Sequence, residues 1–194
     1  MKKKYWILLM IIIFIVVGIF FYKNKVKNLK IGNNKTSQEI VDDILNISSY
    51  EVNVTVNVTS NKNSNRYILK QTYQSPNKST QTVIEPSNIA GVKIENDGTN
   101  TKIENSQLDL NTILDNYNYL GNNCLDLYSF LEDYKNDEKA KFEENDTEIV
   151  MKTNNKILHI DAKTHNPTQM EIKDNKQKTT IYILYNEVKV SSTK

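Results

Sequence analysis

The sequence predicts an α+β fold: one curved antiparallel β-sheet, a half-barrel, covered on one face by helices and preceded by an N-terminal transmembrane helix. Three observations predict it. Tyr5–Tyr22 is an uncharged apolar run as long as a bilayer crossing requires. YEVNVTVNVTS, from Tyr50, alternates apolar and polar residues without a break, which is the pattern of a strand with one buried face. The turn-linked runs that follow show no strand–helix–strand alternation, so neighbours pair as hairpins in a single sheet, and helices must cover one of its faces.

The N-terminal run covers the ~30 Å hydrocarbon core at ~1.5 Å per residue. Tyr5, Trp6 and Tyr22 stand at its ends, where amphipathic rings favour the membrane interface. A cleaved signal peptide would end in small residues, but bulky Ile19, Phe20 and Phe21 follow Gly18. No cysteine follows the run, which removes a lipoprotein signal. Residues 1–25 therefore read as an uncleaved anchor. Lysines flank it on both sides, and the short lysine-led N-terminus is expected to stay inside. That places a single-pass protein in the cell membrane with its globular part extracytoplasmic. Residues 26–35, polar and carrying Gly32 and Asn33-Asn34, read as a linker, and 36–194 as the domain.

The domain opens on Thr36-Ser37-Gln38-Glu39, the capping-box spacing, with Ile40, Val41, Ile44 and Leu45 on one helical face. The valine strand follows, with Val52, Val54, Val56 and Val58 facing one way and Asn53, Thr55 and Asn57 the other. After a turn at Ser60–Asn65, a strand returns over Arg66–Gln74. Strands at Lys78–Glu85 and Ile89–Glu95 are broken by Pro86, and Asn96-Asp97-Gly98 makes a hairpin turn into Thr99–Glu104. Leu108–Asn116 and Cys124–Tyr134 have helical spacing and predict a helical insert. Strands resume at Glu148–Thr153, Lys156–Asp161, Thr168–Lys173 and Thr179–Tyr185, with a last piece at Glu187–Val190.

The 25 Lys and Arg against 23 Asp and Glu give a net charge of +2, with no concentrated basic face, so nucleic acid is not an expected partner. The single cysteine, Cys124, precludes an intrachain disulfide and falls on the apolar stripe of its predicted helix, which favours a buried thiol over a nucleophile. His159, Asp161 and His165 lack a fourth ligand, and packing or surface roles suit them better than metal. Glu132/Asp133 and Glu143/Glu144 read as solvated pairs at a helix end and in a loop. With no nucleotide, hydrolase or zinc motif, an enzyme is not expected, nor any cofactor. Tyrosine is the notable excess: Tyr67, Tyr73, Tyr117, Tyr119, Tyr128 and Tyr182, with Tyr134 and Tyr185, supply rigid area for a partner surface, a cavity lining or the core.

The C-terminal segment LHIDAKTHNPTQMEIKDNKQKTTIYILYNEVKV resembles the lipoprotein-carrier superfamily that includes LolA, LolB and RseB. There a strand ends in Asp, a K-T-x-x-P elbow follows, then M-x-I/V, a D-x-x-x-K turn and a final strand with N-x-x-V. The matching positions are Asp161, Lys163, Thr164, Pro167, Met170, Ile172, Asp174, Lys178, Asn186 and Val188. VIEPSNIAGVKIENDGTNTKI resembles the family's strand–Pro–strand–hairpin upstream. The resemblance implies a LolA-like half-barrel with the elbow as a hairpin. In anchored, Asn/Lys-rich character the chain is most similar to the GerS-like spore-germination proteins of clostridia. That resemblance implies a protein partner, the cortex-processing cell-wall amidase, although here the lipobox cysteine is missing and the Tyr5–Tyr22 helix would supply the attachment. A lipid or lipoprotein carrier is the alternative the family offers; a polar second sheet face and a permanent anchor suit it less. Homo-oligomerisation stays open.

Overall fold

The computed structural model describes residues 35–60, 63–115, 125–175 and 178–192. The anchor Tyr5–Tyr22, most of the linker, Tyr117, Tyr119 and Cys124 lie outside them. Among the described residues no helix is long and apolar enough to cross a membrane.

Helix α1 (Ser37–Leu45) starts where its sequence says it should. The Thr36 side chain accepts the Glu39 N–H, and the Glu39 carboxylate accepts the Thr36 N–H at 2.6 Å, so two otherwise orphaned donors are satisfied. Its face of Ile40, Val41 and Ile44 is buried, while Asp42 and Asp43 are exposed. Eleven strands follow in one antiparallel sheet: β1 (Ile47–Thr59), β2 (Ser64–Gln74), β3 (Lys78–Glu85), β4 (Lys93–Asn96), β5 (Asn100–Asn105), β6 (Leu110–Asp115), β7 (Lys141–Glu144), β8 (Glu148–Lys152), β9 (Lys156–Asp161), β10 (Pro167–Asp174) and β11 (Thr179–Ser192). Helix α2 (Leu127–Asn136) stands between β6 and β7 in sequence.

Across the sheet the order is β6-β5-β4-β3-β2-β1-β11-β10-β9-β8-β7, so the sheet is unclosed and its first and last strands meet at the centre. Two meanders are thus joined by pairing β1 with β11, Val54 opposite Tyr185 and Val56 opposite Ile183. Side chains alternate strictly between faces. On the inner face Val56, Ile183, Met170, Leu158 and Met151 form one cross-strand row, all fully buried. Both helices lie on this face. Ile40, Val41 and Ile44 of α1 and Leu127, Phe130 and Leu131 of α2 join those residues in a single core cluster. Each such side chain contributes about 1.5–3 kcal/mol by leaving water, which explains why the short helices hold.

Three expectations need correction. The described part of the expected helix Leu108–Asn116, residues 108–115, is not α-helical: a single 3₁₀ turn over Ser106–Leu108 gives way to strand β6. The Asn105 side chain accepts the N–H groups of Gln107 and Leu108 and caps that turn, and Asp109 at φ 50° ends it, because a helix cannot propagate through a left-handed residue. β-Branched Thr112 and Ile113 then favour the strand that pairs with β5. Second, Glu143 and Glu144 lie in β7 rather than a loop, paired with β8. Third, β11 runs unbroken from Thr179 to Ser192, its irregularity reduced to two register shifts, where Glu51 and Asn53 face Lys189 and Asn186 and where Ile47 and Ser49 face Ser192 and Ser191. The second helix begins at Leu127, because Asp126 caps it.

Candidate functional site

Helix α2 crosses the inner face from β2 toward β9, held at each step by a polar contact. Near its start the Gln71 amide donates to the Leu125 carbonyl at 3.0 Å, and the Tyr50 hydroxyl accepts the Tyr128 N–H at 3.3 Å. Asp126, buried, accepts the Ser129 N–H at 2.8 Å as the helix cap. Lys156 of β9 is fully buried, and its ammonium donates to the Ser129 hydroxyl at 3.0 Å and to the Asp133 carboxylate at 2.6 Å. At the far end Asp137 accepts the Asn154 N–H at 2.9 Å. Burial raises the Asp126 carboxyl above its usual range, against the opposing pull of the Ser129 N–H and the Lys156 charge. Burial likewise pushes the Tyr50 and Tyr185 phenols up, with the nearby Asp126 charge adding to both.

The tyrosines divide into separate groups. Tyr73 and Tyr128 stack at 4.4 Å between ring centroids and 16° between planes, with Tyr50 against Tyr73 at 5.5 Å. Their hydroxyls reach the neighbouring turn, Tyr73 donating to the Pro76 carbonyl and Tyr128 to the Asn77 side chain, both at 3.1 Å. This is a seam between α2 and the N-terminal half of the sheet. Tyr67, Tyr134 and Tyr185 serve the core, Tyr134 against Phe130 at 5.9 Å. Tyr182 alone of the described candidates projects from the outer face, beside Leu184 two residues on; both are exposed.

The outer face is otherwise a ladder of charges and hydroxyls. Lys189, Glu51, Thr72, Thr80, Glu95 and Lys102 follow one another across six strands. Lys70 pairs with Glu51 at 3.0 Å, Lys93 with Glu95 at 2.6 Å and with Glu104 at 3.5 Å. Lys70 holds the Glu51 carboxyl, and Lys102 the Glu104 carboxyl, below the ordinary range. A polar cleft of about 650 Å³ opens here over Glu51, Thr72, Thr80, Lys93, Glu95 and Lys189.

The family-motif positions build the elbow. The Asp161 carboxylate accepts the N–H groups of Lys163 and Thr164 and the Thr164 hydroxyl at 2.7–3.0 Å, and the Thr164 N–H above all lowers its pKa. His165 turns the chain at φ 60°. Pro167 is the first residue of β10, opposite Ile160, where its missing donor is tolerated. Met170 fills the inner-face row, and Asp174 ends β10 opposite Thr179. Lys163 and Thr164 are exposed. His159 pairs with Glu148 at 2.9 Å, and among the described residues no three metal-ligating side chains come together.

Lys156, Asp126 and Gln71 were missed by sequence reasoning. Parity alone could have found Lys156: it shares its face with Leu158 and Ile160, so an inward lysine was implied.

No known family profile matches the chain, and no curated protein matches it. Solved structures do. An uncharacterised conserved protein from Thermus thermophilus shares the fold at a TM-score of 0.50 and 11% identity, over 81% of this chain and 89% of that one. A LolA superfamily protein from Nitrosomonas europaea matches at a TM-score of 0.44 and 12% identity, over 82% and 96% of the two chains. The complex of the CwlD amidase from Clostridioides difficile with the GerS lipoprotein matches at a TM-score of 0.43 and 24% identity, over 81% and 94%. The likeness to the Thermus thermophilus protein shows a shared fold.

Proposed function

We propose that this protein is a non-catalytic, membrane-anchored extracytoplasmic binding module that engages another protein, a GerS-like activator of a spore-cortex peptidoglycan amidase. The observation that supports a binder of proteins is the occupied hollow. Where a carrier would hold an acyl chain over β1, β2 and β8–β11, the space is filled by Ile40, Val41, Ile44, Leu127, Phe130 and Leu131, each at most 3% exposed. Those helices are fastened by the Lys156–Asp133 pair and the Asp126 cap, so emptying the hollow would strand a buried cation and a buried carboxyl. The amidase as partner follows the sequence resemblance of Asp161–Val188 to GerS-like proteins; GerS itself has been solved in complex with the CwlD amidase. The anchor Tyr5–Tyr22 would keep the domain at the outer membrane-facing surface where such an enzyme works.

A lipid-binding role is the second reading. Val83, Ile94 and Ile103, on the inner face of the β3–β5 wing, are only half-buried, and they favour it. Co-purification of the full chain from sporulating cells separates the two. Recovery of a peptidoglycan amidase is the expected result; recovery of no envelope enzyme overturns the proposal.

A further inference from the structure

The floor of the polar cleft on the outer face consists of two neighbouring cross-strand rows, Lys189–Glu51–Thr72–Thr80–Glu95 and Ser191–Ser49–Gln74–Lys78. Its 650 Å³ falls in the range of about 300–1,000 Å³ common to ligand sites, but its lining lacks their apolar character. Tyr50 and Tyr73, which reach it from the core, are at most 6% exposed, so no open ring offers a stacking platform. The backbone N–H groups of these interior strands are taken by the sheet ladders, which leaves no nest to cradle a phosphate. The two carboxylates already have partners: Lys70 meets Glu51 at 3.0 Å, and Lys93 meets Glu95 at 2.6 Å. Lys189 adds a weaker pull on Glu51, and among the described residues neither Lys189 nor Lys78 makes a salt bridge. The surplus positive charge therefore stands at two corners, about 14 Å apart across the three strand spacings from β11 to β3.

We infer that this cleft binds an extended, carboxylate-bearing glycan. The hydroxyls of Ser49, Thr72 and Thr80 and the Gln74 amide supply donors and acceptors to sugar hydroxyls, while Lys78 and Lys189 each offer an ammonium to a carboxylate. Two ammonium groups on strands so far apart are met together by a chain with repeated carboxylates. An acyl chain gains nothing in a cleft without apolar walls, which sets this face apart from the helix-filled hollow on the other. Nucleic acid lacks both of its usual holds here, a dense run of unpaired cations and an open ring. The choice of glycan rests on the reading of this domain as extracytoplasmic, where peptidoglycan is the carboxylate-bearing glycan within reach. The cleft then holds the strand, and another surface engages the amidase.

The test sediments the full chain, detergent-solubilised, with purified peptidoglycan sacculi, which contain no amidase, before and after amidation of their carboxylates. Retention on untreated sacculi and its loss on amidated ones are expected. Lys78→Gln with Lys189→Gln is expected to weaken retention about tenfold, since two exposed charge contacts are lost. Lys139→Gln with Lys163→Gln makes the same charge change at exposed positions elsewhere and is expected to leave retention unchanged, both proteins staying folded by circular dichroism. Stripping phosphate polymers from the sacculi with hydrofluoric acid is expected to change nothing. The inference is overturned by no retention, by retention that survives amidation, by a Lys78/Lys189 variant no weaker than the control pair, or by loss of retention with the phosphate polymers. Retention on sacculi without recovery of an amidase from cells would sink the amidase reading alone, and the reverse pair of results would sink the glycan cleft alone.

Discussion

Removing Asp133 tests what holds α2 in the hollow. Two ion pairs in this protein have the same 2.6 Å separation, Lys156–Asp133 and Lys152–Glu143. They differ in the burial of the cation: the Lys156 side chain is 0% exposed with Asp133 at 39%, whereas Lys152 and Glu143 are 31% and 54% exposed. Asp133→Ala leaves a buried ammonium with the Ser129 hydroxyl as its hydrogen-bond acceptor, and stranding a buried charge costs about 3–5 kcal/mol. The Asp126 carboxylate, which also acts on Lys156, holds the loss to the lower end, about 3 kcal/mol. For a domain of this size each kcal/mol moves the midpoint by about 2–4 °C, so thermal melts of residues 36–194 should fall by about 6–12 °C. Glu143→Ala removes an exposed pair of equal length, and its melt should not move, because water takes over both charges. Circular dichroism at 222 nm reads both. Equal midpoints for the two variants would refute the argument that burial, not separation, sets the strength of the pair.

The tyrosine seam gives a graded pair: Tyr128→Ala removes the stack on Tyr73 and should cost about 2 kcal/mol, while Tyr128→Phe, losing only the Asn77 bond, should cost under about 1 kcal/mol, both read by urea denaturation. Burial pushes the Tyr128 phenol up to about 12 from an ordinary 10.0, so its contribution is intact below pH 10 and is lost as pH rises from 10 toward 12, when the unfolded chain ionises first. Tyr50, Tyr73 and Tyr185, also raised by burial, act in the same direction, and urea midpoints at pH 8, 10 and 11 should decline in that order, less steeply in Tyr128→Phe. Asp161→Ala frees two N–H groups of the elbow and should cost about 1 kcal/mol, seen as faster amide exchange at Lys163 and Thr164.

Much of the sheet was legible because β-strand parity is written directly in the residues. The valines of β1, the Asp97-Gly98 turn and the C-terminal hairpins fall where period and turn chemistry put them. Pairing at distance was not legible: nothing local in Val54 or Tyr185 says that the first and last strands meet at the centre of the sheet. β6 was misread because leucines at 110 and 114 satisfy helical spacing as well as alternation; a left-handed Asp109 and pairing with β5 decide between them. β7 carries mostly charged residues, so it lacks an apolar period and is a strand only because β8 supplies its hydrogen bonds. Of the candidate tyrosines, composition identified them as a group but could not divide core from surface. That division is made by strand parity for Tyr182 and by the docking of α2 for Tyr73 and Tyr128.

Whether the hollow is occupied by the protein's own helices or by cargo is measured most directly by native mass spectrometry of residues 36–194 purified after secretion into a lipid-containing medium, with organic extraction of the same sample. A mass equal to that of the polypeptide, and an extract free of acyl chains, is the result that a hollow filled by Leu127, Phe130 and Leu131 predicts. A stoichiometric acyl chain that survives purification would contradict it, and would make this protein a carrier.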